Sequence, residues 1–245
     1  MLSLLAEKNR LEIVAQLRQQ VGRLEAAAIP AGPDLLRFSS GCAELDHLLP
    51  AGGVRRGTLL EWLSPGAGGG AGTLALMVAR EACRAGGALV VVDRRGEFYP
   101  PAALRWGIDL SRTLLIRPAR QADDHWAFDQ ALRCAGVRAV LGWPERLDDR
   151  TFRRWQLAAQ GGGSVGLLLR PSAAAASPSW AEARLLVQPI VGDVSHSRRV
   201  RVELLRCRGG VGSGSVELEI DDETGVVRLA AELAPATAVR RAAGA

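Results

Sequence analysis

One stretch limits what this chain can fold into more than any other, the run from Thr58 to Gly86. Leu59 to Leu63 reads as a buried strand and Pro65 to Gly72 as a glycine-rich turn, after which Leu74, Met77, Val78 and Ala82 recur at the spacing of one helix face. Strand, glycine loop and helix in that order make up the phosphate-binding pattern G-x-x-x-x-G-K-[ST]. There, backbone N–H groups converge on phosphates, the lysine reaches the β/γ-phosphates and the hydroxyl residue holds Mg²⁺. Gly66, Gly68, Gly69, Gly70, Gly72 and Thr73 are the residues of this chain that would cradle a phosphate. The rest of the chemistry does not follow them. With Thr73-Leu74 at the start of the helix, Gly70 is the last motif glycine, Ala71 stands at the lysine and Gly72 at the hydroxyl residue, and the only lysine in the chain is Lys8. The stretch predicts an ATPase-type scaffold that has lost its ATPase site.

The 245 residues, 48% of them hydrophobic, suffice for one substantial core, so one main domain with extensions is expected. The formal charge of +5 is carried almost wholly by arginine, which suits phosphate and carboxylate contacts but is weak evidence for nucleic acid. Cys42, Cys83, Cys134 and Cys207 lie far apart without a C-x-x-C pair, which argues against a zinc site or a disulfide framework and for reduced thiols. His47, His125 and His196 show no metal spacing, and no G-x-S-x-G or Cys/His pair suggests a covalent hydrolase. The apolar start Met1 to Leu5 stops at Glu7-Lys8, too short for a signal peptide, and no later run is long enough to span a bilayer. A soluble cytoplasmic protein is expected.

Three segments are expected along the chain. In residues 1–35, Leu11, Val14, Leu17, Val21 and Leu24 form the apolar stripe of an amphipathic helix over Leu2 to Ala28, and Ile29-Pro30-Ala31-Gly32-Pro33 breaks it as a linker. That stripe either packs on its own domain or docks on a partner. Residues 36–234 form the core. It opens with a short helix around Glu44-Leu45-Asp46, capped from Ser40-Gly41, and continues after the glycine loop with strands at Ala88 to Asp93, Arg138 to Gly142, Val165 to Arg170, Leu185 to Gln188 and Val200 to Cys207. Helices at Ala122 to Cys134 and Asp149 to Gln160 alternate with them, which predicts an α/β fold with a mainly parallel sheet covered on both faces. A C-terminal hairpin follows, with Val216, Leu218 and Ile220 facing inward and a turn at Thr224-Gly225, and residues 235–245 read as a disordered tail.

Ser39, Gly41, Leu45, Asp46, Gly52, Gly53, Val54 and Gly57 match the S-x-G-x-x-x-L-D-x-x-L-x-x-G-G-[LV]-x-x-G segment that precedes the Walker A strand of RecA-type proteins, with a small length difference near Leu49-Pro50. Ala103 to Pro118 resembles the run after the second strand of those cores, and Arg138 to Gly142 stands at the Walker B strand. The resemblance spans Phe38 to Arg208 and implies a RecA-like P-loop NTPase core.

Such an ATPase also needs a water-activating carboxylate after the second strand and an acid at the end of the Walker B strand. Arg95 occupies the first position, with Glu97 two residues beyond it, and Trp143-Pro144 follow the Walker B strand where the acid belongs. Loss of one preorganised group alone typically costs ~3 kcal/mol, so three losses favour a binding or structural role. A glycine loop can still hold phosphate through its backbone, which leaves weak ATP binding open. For single-stranded DNA, the basic positions are Arg146, Arg150, Arg153 and Arg154 beside Trp155, and Trp180 is the one aromatic in the alanine- and serine-rich loop Pro171 to Glu182. The bland alternatives are a solvated arginine face and a flexible loop whose tryptophan packs on the domain or a partner.

Asp124, Trp126, Ala127, Gln130, Leu132 and Arg133, then Leu141, Trp143 and Pro144, then Arg154, Gln156, Leu157, Gly161 and Gly162, and finally Glu203, Leu204, Leu205, Arg206, Arg208, Gly209 and Gly210 carry a pattern that resembles the ImuA family. That resemblance implies a non-catalytic accessory factor of DNA-damage-induced (SOS) error-prone translesion synthesis. Its partners would be an ImuB-like Y-family pseudo-polymerase, RecA and an error-prone replicative-type polymerase, with single-stranded DNA as a further ligand and no cofactor. A weak DNA-stimulated ATPase with a relocated site and a SulA-like cell-division inhibitor are the alternatives.

Overall fold

The computed structural model describes residues 37–49, 52–190, 197–208 and 214–230. The amphipathic segment with Leu11, Val14, Leu17, Val21 and Leu24, the tail from Pro235, Pro50 and His196 lie outside them.

The central element is β3 (Leu59–Ser64), every residue of which is buried except Ser64. Parallel strands flank it, β7 (Val165–Pro171) on one side and β8 (Ala183–Ile190) on the other. Beyond β7 come β6 (Val137–Gly142), β4 (Ala88–Val92) and the edge strand β5 (Thr113–Ile116), all parallel. Beyond β8 the sheet turns antiparallel through β9 (Ser197–Cys207), β10 (Gly214–Asp221) and β11 (Val226–Leu229), which gives nine strands in the order β11-β10-β9-β8-β3-β7-β6-β4-β5. The hairpin expected from Val216, Leu218 and Ile220 is thus the end of a three-stranded arm. A second sheet not foreseen from the sequence pairs β1 (Arg37–Phe38) with β2 (Val54–Arg55) across the short helix α1 (Ala43–Leu48).

Strand alternation sorts the core into two layers. Leu60 and Trp62 of β3, with Leu141 and Leu167, face α2 (Ala71–Cys83) and its Leu74, Met77 and Val78. Leu59, Val140 and Leu168 face the opposite way onto Phe128, Leu132, Phe152 and Trp155 of α4 (Gln121–Arg133) and α5 (Asp149–Gly162). Burial of each such side chain stabilises the fold by roughly 1.5–3 kcal/mol. Helix α5 starts because the Asp148 carboxylate accepts the Thr151 N–H at 2.8 Å, and it ends at Gly163, whose φ of +70° a glycine adopts without penalty. Helix α1 is different from expectation. The Ser40 hydroxyl bonds its neighbour Cys42 and caps nothing, and Asp46 instead reaches back to the Ser39 hydroxyl and the Ser40 N–H. Helix α3 (Pro100–Arg105) completes the described helices. Among the described residues, no helix is long and apolar enough to cross a membrane.

Candidate functional site

The chain leaves the C-terminal end of β3 at Ser64, enters the glycine loop and begins α2 at Ala71, two residues before the start expected at Thr73. Gly70 is the N-cap, with a φ of +89°, and no side chain caps the helix. The first bond of the helix runs from the Leu74 N–H to Gly70 O at 3.0 Å, which leaves the amides of Ala71, Gly72 and Thr73 as donors at the positive end of the helix. These amides border a cleft of about 580 Å³ above the C-terminal ends of the parallel strands, where open α/β sheets bind their ligands. Gly66, Gly68, Gly69, Gly70, Gly72 and Thr73 all line it.

The remaining positions of a nucleotide site also converge there. Arg95 and Glu97 line the cleft, as do Trp143 and Pro144 after β6. Asp93, at the end of β4, sets the turn that carries Arg95 and Glu97: its Oδ1 accepts the N–H groups of Arg95, Gly96 and Glu97 and its Oδ2 that of Phe98 at 3.0 Å. Arg95 is held to Glu145, which also pairs with Arg94 at 3.2 Å. Trp62 lines the cleft from the core side, and its indole N–H is fully buried and has no acceptor among the described residues. Of the residues at the three catalytic positions, Ala71-Gly72 offers no side-chain cation or hydroxyl, Arg95 no carboxylate and Trp143-Pro144 no acid.

Sequence reasoning missed what closes the loop from the other side. The guanidinium of Arg198, on β9, donates to both carboxylate oxygens of Asp222 at 2.6 and 2.7 Å, to Gly68 O at 3.2 Å and to the Thr73 hydroxyl at 3.2 Å. The arm also packs on the loop: a Cβ at Gly70 would lie 2.8 Å from Val200 Cγ1 and 3.2 Å from Ile220 Cδ1. Gly70 is therefore glycine for two reasons that involve no ligand, its positive φ and the approach of β9 and β10.

In the loop after β7, Trp180 packs on the domain, as one of the sequence alternatives has it. Ser172–Ala176 forms a 3₁₀ turn, and a buried ion cluster holds the loop from beneath. Glu61 of β3, with no exposure, accepts from Arg170 Nη1 at 2.5 Å, from Arg184 Nε at 2.7 Å and from the Ser179 hydroxyl at 2.6 Å. Arg184 Nη1 then donates to the carbonyls of Ala175 and Ser177 at 2.8 and 2.9 Å. The sequence signal was a lone glutamate inside the apolar run LLEWL.

The residues singled out for DNA separate. Arg146 and Arg150 are exposed, whereas Arg154 pairs with Asp129 at 3.3 Å and Arg153 stacks 4.5 Å from the centroid of Trp180. Trp180 donates to Asp149 Oδ1 at 2.7 Å, so it is fastened to the domain, and Trp155 is buried against Phe128. Behind them His125 is half-buried, and burial holds its imidazole below the ordinary range despite an opposing pull from Asp148. Burial likewise pushes the Cys83 thiol up to about 12 and Cys42 up to about 11, so neither is a ready nucleophile. Among the described residues no group of His, Cys, Asp or Glu is placed to hold a metal ion.

No family model matches the chain. It is 33% identical to Protein ImuA of Caulobacter vibrioides over 146 residues, 54% of this chain and 60% of that protein. The chain is similar to ImuA. It is also 29% identical to Protein RecA of Clostridium perfringens over 118 residues, 46% of this chain and 33% of RecA. A shorter match, 36% over 86 residues, joins 32% of the chain to 51% of the cell division inhibitor SulA of Edwardsiella piscicida. The matched region thus spans about 60% of the length of the ImuA relative. The parallel sheet with helices on both faces and the glycine loop at its switch point form a RecA-like core.

Proposed function

We propose that this chain is a non-catalytic accessory factor in DNA-damage-induced (SOS) error-prone translesion synthesis, a RecA-like core that works by binding ImuB-type and RecA-type protein partners. The observation that carries the reading is the state of the cleft. Its glycine loop keeps the backbone shape of a phosphate site, while lysine, hydroxyl and both carboxylates are replaced and Arg198 ties the loop to the antiparallel arm. Without the Walker lysine, the hydroxyl residue that follows it or an acid at the end of the Walker B strand, little remains at the usual positions to offset the charge that develops on a transferring phosphoryl group. Similarity to ImuA along half of the chain supports the mutagenesis setting, and similarity to RecA supports the scaffold.

The test has two arms. Purified protein is assayed for ATP hydrolysis with and without single-stranded DNA, beside Glu97→Ala, and for binding to immobilised ImuB-type and RecA-type proteins by interferometry. The reading expects no turnover and saturable binding to at least one partner. DNA-stimulated turnover that Glu97→Ala removes would instead establish a relocated active site, since Glu97 does line the cleft.

A further inference from the structure

A second cavity, of about 510 Å³, lies against the C-terminal turn of α2, at the opposite end of that helix from the glycine loop. Its lining draws Arg80, Cys83 and Arg84 from the end of α2, Gly87 from the turn into β4, and Asp109 and Arg112 from the segment before β5. Two more guanidinium groups stand beside it. Arg56, after β2, donates to Ala82 O at 2.9 Å, and the stem of Arg138, on β6, crosses Gly87, where an added Cβ would meet its Cγ at 2.5 Å.

Only two carboxylates line the cavity against these arginines, and both are engaged. Glu81 serves Arg80 at 2.9 Å and Arg84 at 3.2 Å. Asp109 accepts the Ser111 hydroxyl and N–H at 2.6 and 2.9 Å and leaves Arg112 at 3.6 Å, beyond hydrogen-bond reach. Arg56 and Arg138 have no carboxylate partner among the described residues: Arg138 donates to Ala135 O at 3.0 Å, and Arg56 Nη1 is buried without an acceptor. A guanidinium at the end of a helix commonly settles its last carbonyls, which accounts for Arg56 on Ala82 O. It accounts for neither Arg112 nor Arg138. Burial, and after it the charge of Arg138, lowers the pKa of Arg56, and the Cys83 thiol in the cavity lining feels Arg56, Arg138 and Arg112 together. Like charges held this close repel, and an anion among them offsets the repulsion. A carboxylate brings one charge and two oxygens. A phosphate group brings up to about two charges and three acceptor oxygens, which suits several guanidinium forks at once.

We propose that the cavity at the end of α2 binds a phosphate group, with Arg84 and Arg112 as its exposed contacts and Arg138 beside them, the group being either a free phosphate anion or part of a nucleic acid backbone. The site is separate from the glycine-loop cleft and stands or falls independently of the accessory reading. Arg84 and Arg112 offer direct probes. Both side chains are more than half exposed, so Arg84→Gln and Arg112→Gln remove charge without opening the core. Arg117→Gln is the control, since it removes an exposed charge just past the far end of β5.

The experiment is an amide NMR titration of the ¹⁵N-labelled full chain with inorganic pyrophosphate, a dodecamer of thymidylate, and capped tetraglutamate. The expected result is saturable movement of the Cys83, Gly87, Gly107 and Thr113 amides with pyrophosphate, weakened about fivefold or more in Arg84→Gln and in Arg112→Gln and unchanged in Arg117→Gln. A dodecamer that binds no tighter than pyrophosphate assigns the site to a free phosphate anion. A dodecamer that binds more tightly, moves the same amides and is weakened by the same two substitutions assigns it to a nucleic acid backbone. Stationary amides, movement confined to Ala71, Gly72 and Thr73, unchanged affinity in either cavity variant, or an equal loss in Arg117→Gln overturns the proposal. Tighter binding of tetraglutamate overturns it as well and makes the cavity a site for an acidic peptide.

Discussion

The loops that follow β3 and β7 leave neighbouring strands at the same edge of the sheet, and they are held in opposite ways. The glycine loop after β3 is fastened from its outer side by the arm, through Val200, Ile220 and the partly exposed Arg198, and its amides stay open to the cleft. The loop after β7 is fastened from beneath by Glu61, Arg170 and Arg184, all nearly inaccessible to solvent. The first arrangement leaves backbone donors facing the cleft, and the second puts its donors out of reach of solvent, including Arg170 Nε and Arg184 Nη2, which are buried without an acceptor among the described residues. A loop built to move onto a nucleic acid strand gains nothing from a buried ion cluster under it, whereas a surface that must keep one shape for a protein partner does.

The sharpest way to break this contrast is Glu61→Ala. It leaves two buried guanidinium groups without their carboxylate, and removal of one member of a buried pair costs about 3–5 kcal/mol. Chemical denaturation should show that loss, and limited proteolysis should open the chain first between residues 172 and 182; an equally protected loop would mean the cluster does not anchor it. Gly70→Val comes next. A side chain at a φ of +89° that also meets Val200 and Ile220 should destabilise by about 1–3 kcal/mol in urea titration. Loss of any nucleotide response in that variant would therefore report on the arm and not on phosphate contacts. Arg198→Ala sharpens the comparison from the other side. Its pair with Asp222 is over a third exposed, so the stability change should stay below about 1 kcal/mol, while amide exchange at Gly68 and Thr73 quickens. Unchanged exchange would show that packing alone holds the glycine loop.

The smallest effect concerns pH. Burial lowers the folded pKa of His125 below its unfolded value of about 6.5, so the unfolded chain takes up the proton first as pH falls. Stability contributed by neutral His125 is complete above that value and declines as pH drops through it toward the folded pKa. His125→Gln should flatten the slope of stability against pH between about 6.5 and the folded value, and an identical slope would assign the acid sensitivity elsewhere.

Most of the architecture was legible because periodicity and punctuation agreed. The apolar runs at Ala88 to Val92 and Val165 to Leu169 lie where the strands are, and Asp148 and Gly163 punctuate α5 at its two ends. The site was half legible. Gly66 to Thr73 announced the loop, and the substitutions at Ala71, Gly72, Arg95 and Trp143 could be read from their spacing alone. Arg198 could not, since it lies 130 residues from its acceptor Gly68, and Glu61 lies 109 and 123 residues from the arginines it binds. No local pattern encodes a pair at such separations.

By itself the sequence determined the elements and the missing chemistry, because local propensity, apolar period and residue identity are properties of short windows. Only the tertiary structure decided which arginines are free and which are spent. Arg153, Arg154, Arg170, Arg184 and Arg198 look alike along the chain, yet the fold sets the first on Trp180, the second on Asp129, the next two together on the buried Glu61 and the last on Asp222. The availability of a charge depends on what the sheet brings beside it and on how far both are removed from water.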